Sequence, residues 1–263
     1  MFEKFIENND HNKIDDEILA TAYENMGDYQ RSFIKTAIAF QFTQHKAPLL
    51  GQFFLESSNN GFEHYYCNQQ EKNLLFYIDK TYSYPTKFLA LLCQAIIAKV
   101  ENIFVFLDKE ITEQKKAIFL TCLELAGIEN SYFAPQNFYQ ELQNIAGNGT
   151  KILYCTKQTL PFHKNIFLDN SPLSIIAPVQ YKQEIELAYA KEDIIFKEEE
   201  PYKAIHIQNK KQQNVIADIS FCASDTGLQN YSHGMEFCFL YPNLHSDFFT
   251  KKIQYHTLKI DFE

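Results

Sequence analysis

The sequence predicts an α/β protein built on a mostly parallel, doubly wound sheet, with helices at its N-terminus and a smaller, β-rich C-terminal part. Three observations predict it. Short β-branched and aromatic runs alternate with helix-period stretches from Leu74 to Cys155, and parallel strands joined by helices are the economical solution for that alternation. The apolar strand run Leu74–Ile78 leads without a break into a turn and a Pro-started helix, as in a ligand-facing βα unit. Between Pro85 and Val100, the residues Phe88, Leu89, Leu92, Cys93, Ile96 and Ile97 form one wide helical stripe, the signature of a helix packed on a sheet.

Taken in order, two helices open the chain, Asp15 to Met26 and Asp28 to His45, with Gly27 as the break and Asp28 as the expected N-cap. Phe33, Ile34, Ala37, Ile38 and Phe40 supply the buried face of the second. A hairpin-like region follows from Gln52 to Ile78, turning at Ser57 to Gly61. Helix Pro85 to Val100 starts with a proline where no hydrogen bond is lost. Next come strand Asn102 to Leu107, helix Thr112 to Ala126 closed by Gly127, a short strand near Tyr132, helix Pro135 to Ala146 and strand Lys151 to Cys155. Beyond Thr156 the pattern predicts strand Leu173 to Ala177, helix Tyr181 to Ala190, and strands at Ala204 to Gln208, Val215 to Cys222, Glu236 to Tyr241 and Lys252 to Ile260. Residues 1–160 and 161–263 are expected as two parts, the second shorter.

Composition narrows the function classes. The chain has 263 residues, 46% hydrophobic and 15% aromatic, enough for a sizeable core. Its formal charge is −9 and Arg31 is its one arginine, so the guanidinium forks that clamp nucleic acid are nearly missing and nucleic acid is not an expected partner. No apolar run reaches the ~18 residues that span a bilayer, and the expected location is cytoplasmic, with no membrane partner. Six dispersed cysteines without a C-x-x-C pair read as reduced, buried thiols.

The segment Leu74 to Val100, LLFYIDKTYSYPTKFLALLCQAIIAKV, resembles the histidinol dehydrogenase pattern Y-V-P-G-G-x-x-x-Y-P-S-S-V-L-M-x-x-I-P-A-K-V-A-G-V, with matches at Tyr77, Tyr84, Pro85, Leu89, Ala98, Lys99 and Val100. The resemblance continues through Ile103 to Glu110 and Leu120 to Phe133, and reaches Gly149-Thr150. Ser171 lies in a segment similar to the family's I-A-G-P-S-E-I-L-V-I-A. The resemblance spans roughly Ile18 to Pro178. It implies a Rossmann-like, histidinol/aldehyde dehydrogenase-like fold, NAD as cofactor and a homodimer. It also implies a crevice lined by Tyr77, Lys80, Tyr84 and Gln140 toward cofactor, and by Ser171 toward substrate.

The sequence departs from that family where the chemistry would lie. Asp79 and Lys80 stand where the family has two glycines, and there is no G-x-G-x-x-G; an aspartate there would crowd and repel a pyrophosphate. Pro172 replaces the family's glutamate, no Q-x-x-H follows Ala177, and zinc is not expected. The densest set of metal-type residues is His233 with Asp225, Glu236 and His245, but without ligand spacing such residues are more often solvated loop groups. Asp225, after the strand-like run Ala217 to Cys222, is a candidate substrate contact or acid–base, with Cys222 a nucleophile only if His233 lies near. The plain alternative is a Ser-Asp-Thr-Gly turn. The functional expectation is a histidinol dehydrogenase-like protein lacking competent zinc-dependent histidinol oxidation, which binds a nucleotide or small ligand or acts through protein contacts. The alternative is an NAD-linked oxidoreductase of altered substrate.

Overall fold

The computed structural model describes residues 2–57, 62–82, 85–136, 138–146, 150–156, 158, 166–169, 174–178, 204–208, 219–220 and 249–258. Its centre is the strand β3 (Asn73–Ile78), whose five residues from Leu74 to Ile78 are all buried. It pairs in parallel with β4 (Asn102–Asp108) on one side and β6 (Thr150–Cys155) on the other. With β5 (Ser131–Ala134) and β7 (Ile166–Asp169) the sheet runs β5-β4-β3-β6-β7, parallel throughout.

Period-2 alternation in β3 sends two different sets of side chains to opposite faces. Leu74, Phe76 and Ile78 join a core with α2 (Asp16–Asn25), α3 (Asp28–Gln44), α4 (Pro85–Ile97) and α5 (Glu113–Ala126). Leu75 and Tyr77 join a second core with α1 (Phe2–Asn9) and α6 (Phe138–Ile145). Helices therefore cover both faces, as the sequence predicts. The stripe of α4 is buried as expected, and Gln94 donates to Gln41 (3.2 Å) as a buried polar pair between α3 and α4. Among the described residues, Cys67, Cys93, Cys122 and Cys155 are buried and form no disulfide, and burial pushes the Cys93 thiol up to about 12. No helix among the described residues is long and apolar enough to cross a membrane.

Two smaller sheets accompany this one. The expected hairpin region divides: β1 (Phe53–Ser57) and β2 (Phe62–Gln70) are antiparallel partners, whereas β3 leaves them for the central sheet. β2 is joined on its other side by β11 (Thr250–Leu258). The Lys151 ammonium ties the sheets together, lying 3.6 Å from Glu71 and donating to the Thr250 carbonyl. A parallel set β10-β8-β9 comprises β8 (Ser174–Pro178), β9 (Ala204–Gln208) and β10 (Ile219–Ser220). The expected helix Tyr181 to Ala190 and strand Glu236 to Tyr241 lie outside the described residues.

Local chemistry moves several expected boundaries. Gly27, not Asp28, is the N-cap of α3: its N–H donates to Gln30 Oε1 (3.3 Å), and Asp28 sits in the first turn, paired with Arg31. Helix α4 ends at Ile97 rather than Val100 because Lys99 is left-handed (φ 57°). Its N–H reaches the Ile96 carbonyl and the Val100 N–H reaches that of Ala95, closing the helix. Gly127 closes α5 in the same conformation (φ 69°).

These two positions predict opposite responses. Gly127→Ala meets no neighbouring atom, so its cost is backbone strain alone, about 1 kcal/mol. Lys99→Gly relieves that strain and is expected to stabilise by up to about 1 kcal/mol. Urea unfolding midpoints of the two variants measure both signs.

Candidate functional site

In a doubly wound sheet the ligand crevice opens beyond the carboxyl ends of the strands, where successive connections diverge to opposite sides. Here that point lies between β3 and β6. The chain leaves β3 for α4 on one face, whereas β6 is entered from α6 on the other. Tyr77 and Tyr154 are direct register partners there, with ring centroids 4.8 Å apart. One residue past each strand stand Asp79 and Thr156.

Asp79 is 3% exposed, and its carboxylate is enclosed by donors. Its Oδ1 accepts from the Thr81 N–H (2.7 Å), the Thr81 hydroxyl (2.6 Å) and the Tyr82 N–H (3.1 Å). Its Oδ2 accepts from the Thr156 hydroxyl and, more distantly, from Tyr154 (3.5 Å). The Asp79 N–H bonds the Cys155 carbonyl, extending the β3–β6 ladder by one step. An aspartate whose side chain bonds the backbone two residues on is an Asx turn, which D-K-T after a strand can form. The Thr156 hydroxyl, just past β6, completes it.

A second carboxylate ends β4. Asp108 accepts from the Tyr77 hydroxyl (3.3 Å) and from the N–H groups of Lys80 (3.4 Å) and Glu110 (2.8 Å). Burial, and after it the Asp108 charge, pushes the Tyr77 phenol well above its usual value; burial and then Asp79 do the same for Tyr154. Both rings are neutral donors, not bases. Lys80 is half exposed and pairs with Glu110, which raises its ammonium.

Of the residues singled out from sequence, Tyr77 is buried at the crevice between Phe138 (5.0 Å) and Tyr154, and Lys80 is on its turn. Gln140 is exposed on α6. Tyr84, Ser171 and Asp225 lie outside the described residues, as do Cys222, His233, Glu236 and His245. The structure adds Thr81, Asp108, Tyr139, Tyr154 and Thr156. Tyr139, on α6, packs its ring edge against Tyr154 (5.4 Å), and its buried hydroxyl has no hydrogen-bond partner among the described residues. Among the described residues, no three His, Cys, Asp or Glu side chains form a group that could hold a metal ion. Among the described residues of the β3–α4 turn, the Thr81 and Tyr82 N–H groups, which could otherwise face a pyrophosphate, are engaged by Asp79.

Fold and crevice together define a doubly wound α/β protein with a hydroxyl- and carboxylate-lined switch point. No protein-family model matches the chain, and no curated protein matches it. Among solved structures it is similar to a crystal structure of histidinol dehydrogenase from Elizabethkingia anophelis, with a TM-score of 0.57 and 12% identity over 94% of this chain and 77% of that one. The fold is thus histidinol dehydrogenase-like.

Two outcomes follow from the Asp79 network. Thr156→Val leaves a buried carboxylate one donor short and is expected to cost about 1–3 kcal/mol in urea unfolding, whereas Tyr154→Phe removes a longer contact and costs less. The tyrosines also set an alkaline limit. Their folded-state values lie above the ordinary 10.0, so the stability they contribute is intact below that pH. It is lost above it as the unfolded phenols ionise. Denaturation at rising pH should show stability declining past about pH 10, with less decline in a Tyr77→Phe, Tyr154→Phe double variant.

Proposed function

We propose that this chain is a histidinol dehydrogenase-like protein without zinc-dependent histidinol oxidation, acting by holding a small ligand at the β3–β6 crevice and through contacts between copies of itself. The observation that carries this reading is the saturated carboxylate of Asp79 at the turn where a dinucleotide-binding protein keeps glycine. Tyr77, Tyr84, Gln140, Ser171 and Asp225 are the proposed ligand contacts. The Tyr139 hydroxyl supports a ligand, since a buried hydroxyl without a partner among the described residues gains most from an incoming acceptor. Self-association is supported by β1, one of the two edge strands of its sheet among the described residues, on which Phe53 and Leu55 are more than half exposed.

One observation favours a second reading, an NAD-linked oxidoreductase of altered substrate: the strand order β5-β4-β3-β6-β7 opens its crevice where dinucleotides bind in related architectures.

Thermal unfolding with NAD(H), NADP(H), histidinol and Zn²⁺, singly and combined, separates the two. A ligand at 100 times its Kd stabilises the folded state by about 2.7 kcal/mol, roughly 5–10 °C for a chain of this size. The proposal expects no such shift from dinucleotides and no turnover of histidinol. A dinucleotide-dependent shift would move the assignment to the oxidoreductase.

A further inference from the structure

We infer that the β3–α4 turn is an anion seat whose occupant is the chain's own Asp79 carboxylate, and that the crevice therefore takes ligands that bring no phosphate to this turn. The inference deepens the proposed function and rests on its ligand-binding reading of the crevice.

An anion seat at this place in an α/β fold needs converging N–H and O–H donors at the end of the first strand, beside the switch point. All are present. The Thr81 and Tyr82 N–H groups and the Thr81 hydroxyl converge on one carboxylate oxygen within 3.1 Å, and the Thr156 hydroxyl reaches the other from the neighbouring strand. The two hydroxyls lie 3.3 Å apart, so they border one site. Tyr82 and Thr156 are fully buried and Asp79 nearly so, which leaves little room for water to compete.

What the seat holds is a carboxylate tethered through its own Cβ. A tethered anion pays no translational entropy and is present at an effective concentration that a free phosphate does not match. A free anion would also have to approach Asp108, whose carboxylate already accepts from Tyr77 and Lys80 on the adjoining strand end. Both effects act against a pyrophosphate and neither acts against an uncharged ligand lying against Tyr77, Tyr139 and Tyr154.

The test removes the occupant and offers a free one. Purified full-length wild type, Asp79→Gly and Asp79→Asn are titrated with sodium formate, orthophosphate and NAD⁺ at constant ionic strength, following the melting temperature. Formate is the side chain's carboxylate without its tether. Asp79→Gly is expected to melt lower than wild type and to recover saturably with formate, by about 5 °C at 100 times the Kd, while wild type stays unmoved by all three anions. Asp79→Asn keeps the shape and one acceptor oxygen, so its response to formate is expected to be several-fold smaller.

If Asp79→Gly does not fold alone, recovery of its folded signal on refolding in formate replaces the melting shift. Absence of any anion response in Asp79→Gly by either readout would overturn the inference. So would a shift of wild type by phosphate or NAD⁺ equal to that of the variant. Failure of the proposed function is read separately, as absence of both small-ligand binding and self-association in wild type.

Discussion

Burial of β3 on both faces is the constraint from which the rest of the architecture follows. Leu74 to Ile78 are withdrawn from water without interruption, so the strand needs an apolar layer on each side and a hydrogen-bonded neighbour at each edge. α4 and α5 serve one side, α1 and α6 the other. Because β4 and β6 both run parallel to β3 while their helices go to opposite faces, the end of β3 is the switch point at which open α/β sheets place a ligand crevice. The backbone beyond Ile78 leaves the ladder there with N–H groups still to satisfy.

Asp79 resolves that demand internally. A buried carboxylate without donors would be costly, and buried N–H groups without an acceptor would be costly as well; each supplies what the other lacks. The arrangement reaches across the sheet, because the Tyr154 hydroxyl comes from β6 and the Thr156 hydroxyl from the residue just past it. One side chain thereby closes the turn, caps two strands and sets the polarity of the crevice.

Much of this was legible in the amino-acid sequence, and what was not has physical reasons. Strands and helices from Leu74 to Cys155 announce themselves because their periods are unmixed and because Pro85 and Gly127 mark helix ends. The same markers mislead at Lys99, which adopts a glycine-like conformation without being glycine. α1 escaped notice because its apolar face is only Phe2, Phe5 and Ile6, too few to establish a period. β7, four residues long, offers a similarly weak pattern. Asp79 stood out as a repulsive charge, but its five donors belong to Thr81, Tyr82, Tyr154 and Thr156, and two of those residues come close only when β6 docks on β3. Tyr77 and Lys80 were found from sequence because they flank that turn.

The pairing of β2 with β11 joins residues 62–70 to 250–258 along nine register positions. No local signal sets such a ladder, and its closure spans most of the chain. During synthesis, β1 and β2 emerge long before the strand that completes their sheet, and until it arrives β2 presents an unpaired edge. The hairpin is thus a waiting half-site on the ribosome. An unpaired strand edge of that kind is open to pairing with a wrong strand until β11 closes it.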